Sequence, residues 1–275
     1  MKWLVKELLG YRMILKDTYE LPQIHDKWET IYRDNPIGDR LNDRVLSDAL
    51  KTLEVPNNSL FLDAGCGVGD HSIRLCRFGL RGVGIDISET ILQRAQERAK
   101  KAGVGSEHLT FRNGCLDALP FADGSFDLVH CRGVLMHIPD WQVALKELCR
   151  VVKPRGSLIV FENNSRSVEI KLVKLLRLVR KSQYKTKITY GGIEDWSTQY
   201  GQPYVGRVAN HKSLQAEMET YGLKLIGKRA VTIIDIGRVP ASVRNYLIQL
   251  NGLYYRSRLP VYFGMGTIFM ARKTS

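Results

Sequence analysis

The sequence predicts an α/β fold: a doubly wound sheet of seven strands, mostly parallel, with a late antiparallel strand and a basic helical insertion after the fifth strand. Three observations lead there. Short apolar runs alternate with amphipathic helical stretches between residues 59 and 162, a rhythm that implies parallel pairing through right-handed crossovers. The first run ends in a glycine-rich turn that opens a helix. Two further runs, GLKLIGKRAVTIID and GMGTIFMARK, close the chain on either side of a helical stretch containing Val243, Leu247 and Leu250.

The elements follow in order. Residues 1–54 read as an N-terminal helical segment and residues 55–275 as one domain. The segment starts with MKWLVKELLGYRMILK, whose charges suit a surface helix, and ends with Leu41, Val45, Leu46, Ala49, Leu50 and Leu53 at helical spacing before Pro56. SLFLDAG is the first strand, followed by a helix through Leu75 and Phe78. RGVGID is the second, and Ser88 caps a helix with Leu92, Ala95 and Ala99 on one face. HLTFRNG and SFDLVHC are the third and fourth strands. Asp140 begins a helix through Leu145 and Leu148 to Val152, KPRG is a turn, and SLIVFE is the fifth strand. An insertion or lid with no clear strand then occupies about residues 163–210, before a helix from Ser213 to Tyr221.

Composition narrows the class. No apolar stretch approaches the roughly 18 residues that cross a bilayer, and no small-residue cleavage site follows the charged N-terminus, so a reducing cytoplasm, with peripheral contact at a membrane, is the expected location. The five cysteines form no CxxC pair, which argues against a disulfide framework or a zinc knuckle, and no metal site is expected. The formal net charge of +13 is unevenly spread: residues 1–149 carry −2 and residues 150–275 carry +15. The second half therefore faces something anionic, or is a solvated basic face.

The strongest local signal is Asp63-Ala64-Gly65-Cys66-Gly67-Val68-Gly69-Asp70. Glycine lets backbone approach a ligand at the carboxyl end of a strand, where open α/β sheets bind. A dinucleotide fingerprint requires a third glycine where Asp70 stands, which puts a negative charge in the place of a phosphate and counts against NAD. Asp86, ending the second strand, is placed to accept hydrogen bonds from both ribose hydroxyls of an adenosine, or to cap the helix that follows.

Taken together, LDAGCGVG, GIDIS, the acid in CLDALPF, FDLVHCRGVLMHIPD and VVKPRGSLIV resemble, in order and spacing, the motifs of the class I S-adenosylmethionine (SAM)-dependent methyltransferases, in particular the small-molecule branch called methyltransferase type 11. The resemblance implies a Rossmann-like sheet and SAM as cofactor. It implies that Asp63, Gly65, Gly67 and Gly69 hold the methionyl part, Asp86 and Ile87 the ribose and adenine, and Asp117 and Ala118 surround the adenine. Arg132, at the carboxyl end of the fourth strand, is a candidate to approach the methionine carboxylate or the acceptor, a role the resemblance does not fix. His137 is the candidate base, because a free imidazole titrates near neutrality, or else a structural histidine at the start of the next helix.

Some chemistries are set aside. Exocyclic-amine methylation of bases resembles a family with an Asn/Asp-Pro-Pro-aromatic motif where this chain reads HCRGV, and Cys131 follows a histidine where cytosine-5 methylation resembles a Pro-Cys context. Cys66 reads as a small packed residue.

The insertion carries the substrate signal. Between Arg150 and Tyr190 lie 11 basic residues and two acids. SVEIKLVKLLRLVRK sets Val168, Leu172, Leu175, Leu176 and Val179 on one face and Lys171, Lys174, Arg177 and Lys181 on another. Such a helix faces a membrane surface or another anion, or is a lid with its apolar face packed inward. Tyr190, Trp196, Tyr200 and Tyr204 are candidates for an acceptor pocket. The expected function is methyl transfer to a small-molecule or lipid-linked, anionic acceptor, with an anionic membrane surface met through Lys171, Lys174, Arg177 and Lys181. RNA modification and a non-catalytic scaffold are the alternatives, and the oligomeric state is not legible.

Overall fold

A computed structural model describes residues 16–32, 35–179 and 185–274, so the helix expected at the N-terminus and Lys181 lie outside the described residues. Helices α1 (Pro22–Tyr32) and α2 (Pro36–Thr52) precede the sheet. Asn35 caps α2 by accepting from the N–H groups of Ile37 and Gly38, with Pro36 at the first helical position. The alternation then runs β1 (Leu60–Ala64), α3 (Asp70–Arg77), β2 (Arg81–Asp86), α4 (Glu89–Lys101), β3 (Leu109–Asn113), β4 (Phe126–Arg132), α5 (Trp141–Val151) and β5 (Val152–Asn163). Beyond β5 lie α6 (Val168–Val179), β6 (Lys185–Thr189), β7 (Gly192–Gln199), β8 (Gln202–Ala209), α7 (His211–Thr220), β9 (Leu223–Thr232), α8 (Ala241–Ser257) and β10 (Gly266–Lys273).

The main sheet has seven strands in the order β3-β2-β1-β4-β5-β10-β9. Strands β2, β3, β4 and β5 join β1 in parallel pairings, and β10 runs antiparallel to both β5 and β9. The strand order reverses between β1 and β4, which opens a crevice at their carboxyl ends. Phe61 to Ala64 are buried without alternation because both faces of β1 are covered. Leu62, Val129 and Val160 pack against Leu145 and Leu148 of α5. Phe61, Leu128 and Ile159 pack against Val45 and Ala49 of α2 and Tyr255 of α8.

Two expectations are corrected, and the placement of α6 is added to them. The insertion is not purely helical: β6, β7 and β8 form a separate antiparallel sheet. Its strands carry three Thr, two Lys and two Gln, as a sheet with a solvated face permits, and the Tyr200-Gly201 tip turns with both residues at positive φ. KPRG is not a free turn but part of β5, whose register shifts opposite Phe126–Leu128 and whose Arg155 sits at φ +64°. Of the two placements left open for the apolar residues of α6, Val168, Leu172 and Leu175 are exposed, while among the described side chains Ile170 is buried against Ile193, Val208 and Met265. The side chains of Lys174, Leu176, Arg177 and Val179 lie outside the described residues.

The N-terminal residues are fastened to the domain. Glu20 accepts from Ser88 Oγ and the N–H groups of Glu89 and Thr90, and this bonding at the start of α4 holds its carboxyl low despite the opposing effect of burial. Arg94 of α4 pairs with Asp26 and Glu29, and Arg74 of α3 with Asp39 and Asp43. Asn35 donates to Asn245 of α8 at 2.5 Å.

Candidate active site

The turn after β1 is shaped by its glycines. Gly65, Gly67 and Gly69 stand at φ +72°, +53° and +80°, in the left-handed region. A Cβ on Gly65 would sit 2.3 Å from a methyl of Val134, so the loop after β4 closes directly onto this backbone. Asp86 fixes the turn from β2: Oδ2 accepts from the Gly67 N–H at 2.9 Å and Oδ1 from the Ser88 N–H at 3.1 Å. Burial raises the Asp86 carboxyl, against the pull of these N–H groups and of His25. The Ile87 N–H bonds to the same carboxylate, and of its roughly four acceptor sites one remains for a ligand hydroxyl. Asn113 supports the next step by donating to the carbonyl of Ile87 at 2.8 Å.

Asp63 is used differently. It is 2% exposed, and its carboxylate accepts from Ser72 Oγ at 2.6 Å and meets His130 Nδ1 at 2.8 Å. Asp63 and His130 are opposed in the β1–β4 register, and His71 stacks on His130 with centroids 5.0 Å apart. The pair braces the ends of the two strands at the crevice.

A cavity of about 500 Å³ occupies that crevice, in the size range of cofactor and small-molecule sites. It brings together Asp63, Gly65, Gly67, Asp86, Ile87, Asp117, Arg132 and His137. Two expected residues do not line it. Gly69 starts α3 and packs against Phe111 and Ala95, and Ala118 is exposed beyond Asp117. Arg132 lies 4.1 Å over the Phe161 ring, which orients its guanidinium at the cavity wall.

Several lining residues carry no local sequence signal. Tyr19, His25 and Leu41 come from the chain before the sheet, and Ile234, Asp235 and Ile248 from the region after β9. Tyr19 and Tyr204 flank His137 with centroids 5.9 and 5.3 Å away. Of the aromatic residues expected to form an acceptor pocket, only Tyr204 lines the cavity. Tyr190 and Tyr200 are exposed, Tyr190 stacking on Trp141, while Trp196 donates to Glu194.

His137 sits on a short 3-10 turn, Leu135–His137, held by the insertion. Its Nδ1 lies 3.1 Å from the Val205 carbonyl of β8, so the neutral ring carries its proton there and Nε2 is the acceptor nitrogen. Arg207, two residues along β8, donates to the carbonyls of Leu135 and Ile138 and lies over Trp141. Burial, with Arg207 nearby, lowers the His137 pKa to about 4, so the imidazole is neutral at physiological pH. Glu162, at the end of β5, is 1% exposed and neither oxygen receives a hydrogen bond of ordinary geometry. Burial raises its carboxyl to about 7, moderated by Arg207 and the nearby N–H groups of Met136, Leu135 and Asn163.

The donor set fits an adenosine-bearing cofactor such as SAM: a backbone-anchored acid at the end of β2, a glycine cradle that a Cβ would fill, and an acid after β3. Among the described residues no group of three His, Cys, Asp or Glu side chains is placed to hold a metal ion, and none of the five cysteines is in a disulfide.

Comparison with known proteins agrees with this fold. Residues 62–160 match the family described as Methyltransferase domain. A demethylmenaquinone methyltransferase of Shouchella clausii is 30% identical over 156 residues, covering 54% of this chain and 66% of that protein. The uncharacterized methyltransferase YcgJ of Bacillus subtilis is 29% identical over 133 residues, 48% of this chain and 51% of that one. The chain thus spans about half to two thirds of the length of the curated relatives it matches. Magnesium protoporphyrin IX methyltransferase from Synechocystis PCC 6803, solved with bound SAH, shares the fold with a TM-score of 0.63 at 18% identity, over 95% of this chain and 99% of that one.

Proposed function

We propose, from the premise that the chain belongs to the class I SAM-dependent methyltransferase superfamily, that it transfers a methyl group from SAM to a small, apolar, lipid-linked acceptor of the quinol kind. The observation that carries the reading is the Asp86 carboxylate, tied to Gly67 and Ser88 N–H groups at the cavity wall. Asp86 and Ile87 would hold the ribose and adenine, Leu116 and Asp117 the far side of the adenine, and Gly65, Gly67 and Arg132 the methionyl end. Asp63 would act through the turn it braces.

When bound, the sulfonium supplies an already activated methyl group. The chain then has to align the acceptor, exclude water and receive any proton released. His137 is the acceptor-side residue in this reading. A weak, neutral base suits a hydroxyl proton that becomes acidic only as the new bond to carbon forms. Leu41, Phe161, Ile234, Ile248 and Met265 give the rest of the cavity an apolar wall, matched to a flat or lipid-tailed molecule. The name demethylmenaquinone methyltransferase, carried by several relatives, supports that class. An anionic membrane surface belongs to the same reading. Of its expected contacts Lys171 is exposed, while the side chains of Lys174 and Arg177 and all of Lys181 lie outside the described residues.

The test is turnover with methyl-labelled SAM in an extract containing membrane lipids, with products partitioned into organic, aqueous, nucleic-acid and protein fractions and Asp86→Ala as control. Label in the organic fraction is expected. Label confined to nucleic acid, favoured only by the +15 charge of residues 150–275, would replace this acceptor with RNA. Absence of SAM binding by calorimetry would overturn the methyltransferase reading.

A further inference from the structure

Two segments far apart in sequence expose large apolar side chains next to each other. On α6 these are Val168, Leu172 and Leu175, the two leucines more than half exposed, and on the loop after α8 they are Leu259, Tyr262 and Phe263. The segments touch: the Lys171 ammonium lies 4.5 Å over the Tyr262 ring and bonds its hydroxyl, and Asn164, just before α6, donates to the Val261 carbonyl at 3.2 Å. Exposed apolar groups collected in one place mark a surface that something covers.

Charge says what covers it. Between Glu169 and Glu194 the chain has seven Lys/Arg and no acid, and after Asp235 it has six Lys/Arg and no acid. Arg166, Lys171, Arg256 and Arg258 are exposed within or beside the apolar patch. A second copy of this chain would set two such basic patches against each other. An anionic bilayer accepts both properties, apolar side chains below the headgroups and basic ones among them. The same face adjoins the acceptor wall of the cavity. Glu169 of α6 accepts from the Asp235 N–H at 2.9 Å, and both Asp235 and Met265, two residues beyond Phe263, line the cavity.

We propose that α6 and residues 259–263 form one docking face that seats Leu172, Leu175 and Phe263 in an anionic bilayer. In that position a lipid-linked acceptor reaches the cavity without its apolar tail crossing water. The route for the acceptor rests on the methyltransferase reading, whereas the docking does not.

The experiment is co-sedimentation of the full chain with phosphatidylcholine vesicles, with and without phosphatidylglycerol, alongside SAM calorimetry and sedimentation velocity on the same preparations. Binding is expected only to the phosphatidylglycerol vesicles. It should weaken about tenfold or more in Leu172→Ser/Leu175→Ser and about fivefold for each of Arg256→Gln and Arg258→Gln. A Phe263→Trp variant should be quenched by phosphatidylcholine brominated on its acyl chains when the anionic lipid is present. No binding to phosphatidylglycerol vesicles overturns the proposal, as does binding that ignores the two leucines and leaves the tryptophan unquenched. A dimer dissolved by Leu172→Ser/Leu175→Ser without vesicle binding also overturns it and makes the face an interface between copies. Vesicle binding without SAM binding would leave the docking standing and remove the methyltransferase reading. SAM binding without vesicle binding does the reverse.

Discussion

His137 Nδ1 and the Val205 carbonyl oxygen lie 3.1 Å apart, one at the end of β4's loop and the other on the insertion's third strand. The sheet delivers the imidazole only as far as a three-residue turn, and β8 sets its direction. Arg207 secures the same turn through the carbonyls of Leu135 and Ile138 without lining the cavity. The insertion therefore sets the direction of His137 as well as lining the cavity through Tyr204.

Arg207→Met should separate these roles. Turnover is expected to fall roughly 10- to 100-fold, the usual consequence of misplacing a reacting group by about an ångström. Affinity for S-adenosylhomocysteine should stay within about twofold, because Arg207 touches none of the cofactor-side residues. Steady-state kinetics with parallel calorimetry checks this, and an equal loss of both would mean that the insertion supports the whole cavity.

Asp86→Ala should weaken S-adenosylhomocysteine binding by at least about 100-fold, since two hydrogen bonds to a charged group are lost, each worth about 1.5–3 kcal/mol. Asp86→Asn should fall between, because one oxygen still accepts from Gly67 or from a ribose hydroxyl. Calorimetric titration distinguishes the three proteins. Equal affinity in all of them would remove the ribose role.

Stability should respond to pH through buried groups of opposite sign, Glu162 on one side and His137, with His211 shifted the same way, on the other. The Glu162 carboxyl is raised from 4.5 to about 7, so its contribution is complete below pH 4.5 and lost as pH rises through 7. The His137 imidazole is lowered from 6.5 to about 4, so its contribution is present above pH 6.5 and lost as pH falls toward 4. The two slopes oppose each other between about pH 4.5 and 6.5. Glu162→Gln should therefore steepen the acid-side loss and remove a penalty of up to about 3 kcal/mol at pH 8. Urea unfolding at pH 5, 6.5 and 8 reads this, and a variant parallel to the wild type would show that Glu162 keeps its ordinary pKa.

Gly65→Ala should destabilise the fold by about 2 kcal/mol or more, combining a left-handed backbone with a methyl driven into Val134. Val134→Ala should recover the steric part and leave the backbone part. Chemical denaturation of the two single variants and the double variant gives the coupling. Strict additivity would mean that the loop after β4 does not press on the glycine turn.

The alternating sheet was legible because each of its elements announces itself locally. The run from Phe61 to Ala64, the glycines after it and Asp86 at a strand end are statements about a few adjacent residues. The Asp63–His130 pair was legible in principle: a lone acid and a lone histidine within apolar central strands each demand a buried partner, and the parallel register makes them opposite. Tyr19 had no such signal, since its place beside His137 depends on Glu20 reaching the start of α4, about seventy positions away. The insertion's strands were illegible because β6 is exposed at Thr186, Lys187 and Ile188 alike, while β7 and β8 bury successive residues at Gly192–Glu194 and Arg207–Ala209, so no alternation marks them. Ala118 and Gly69 fell outside the cavity although they adjoin residues that line it, because one residue along a turn reverses which side faces the ligand.

The wall formed by residues 16–54 has a consequence for the order in which the molecule assembles. Those residues precede the sheet in the sequence, yet they dock on α3 and α4 and bond to Asn245 of α8. The cavity thus depends on contacts spanning nearly the whole chain, which close late because their loops are long. On refolding, far-ultraviolet circular dichroism should recover before cofactor binding does. Truncation ahead of β1 should yield a folded sheet with an open trough in place of its pocket.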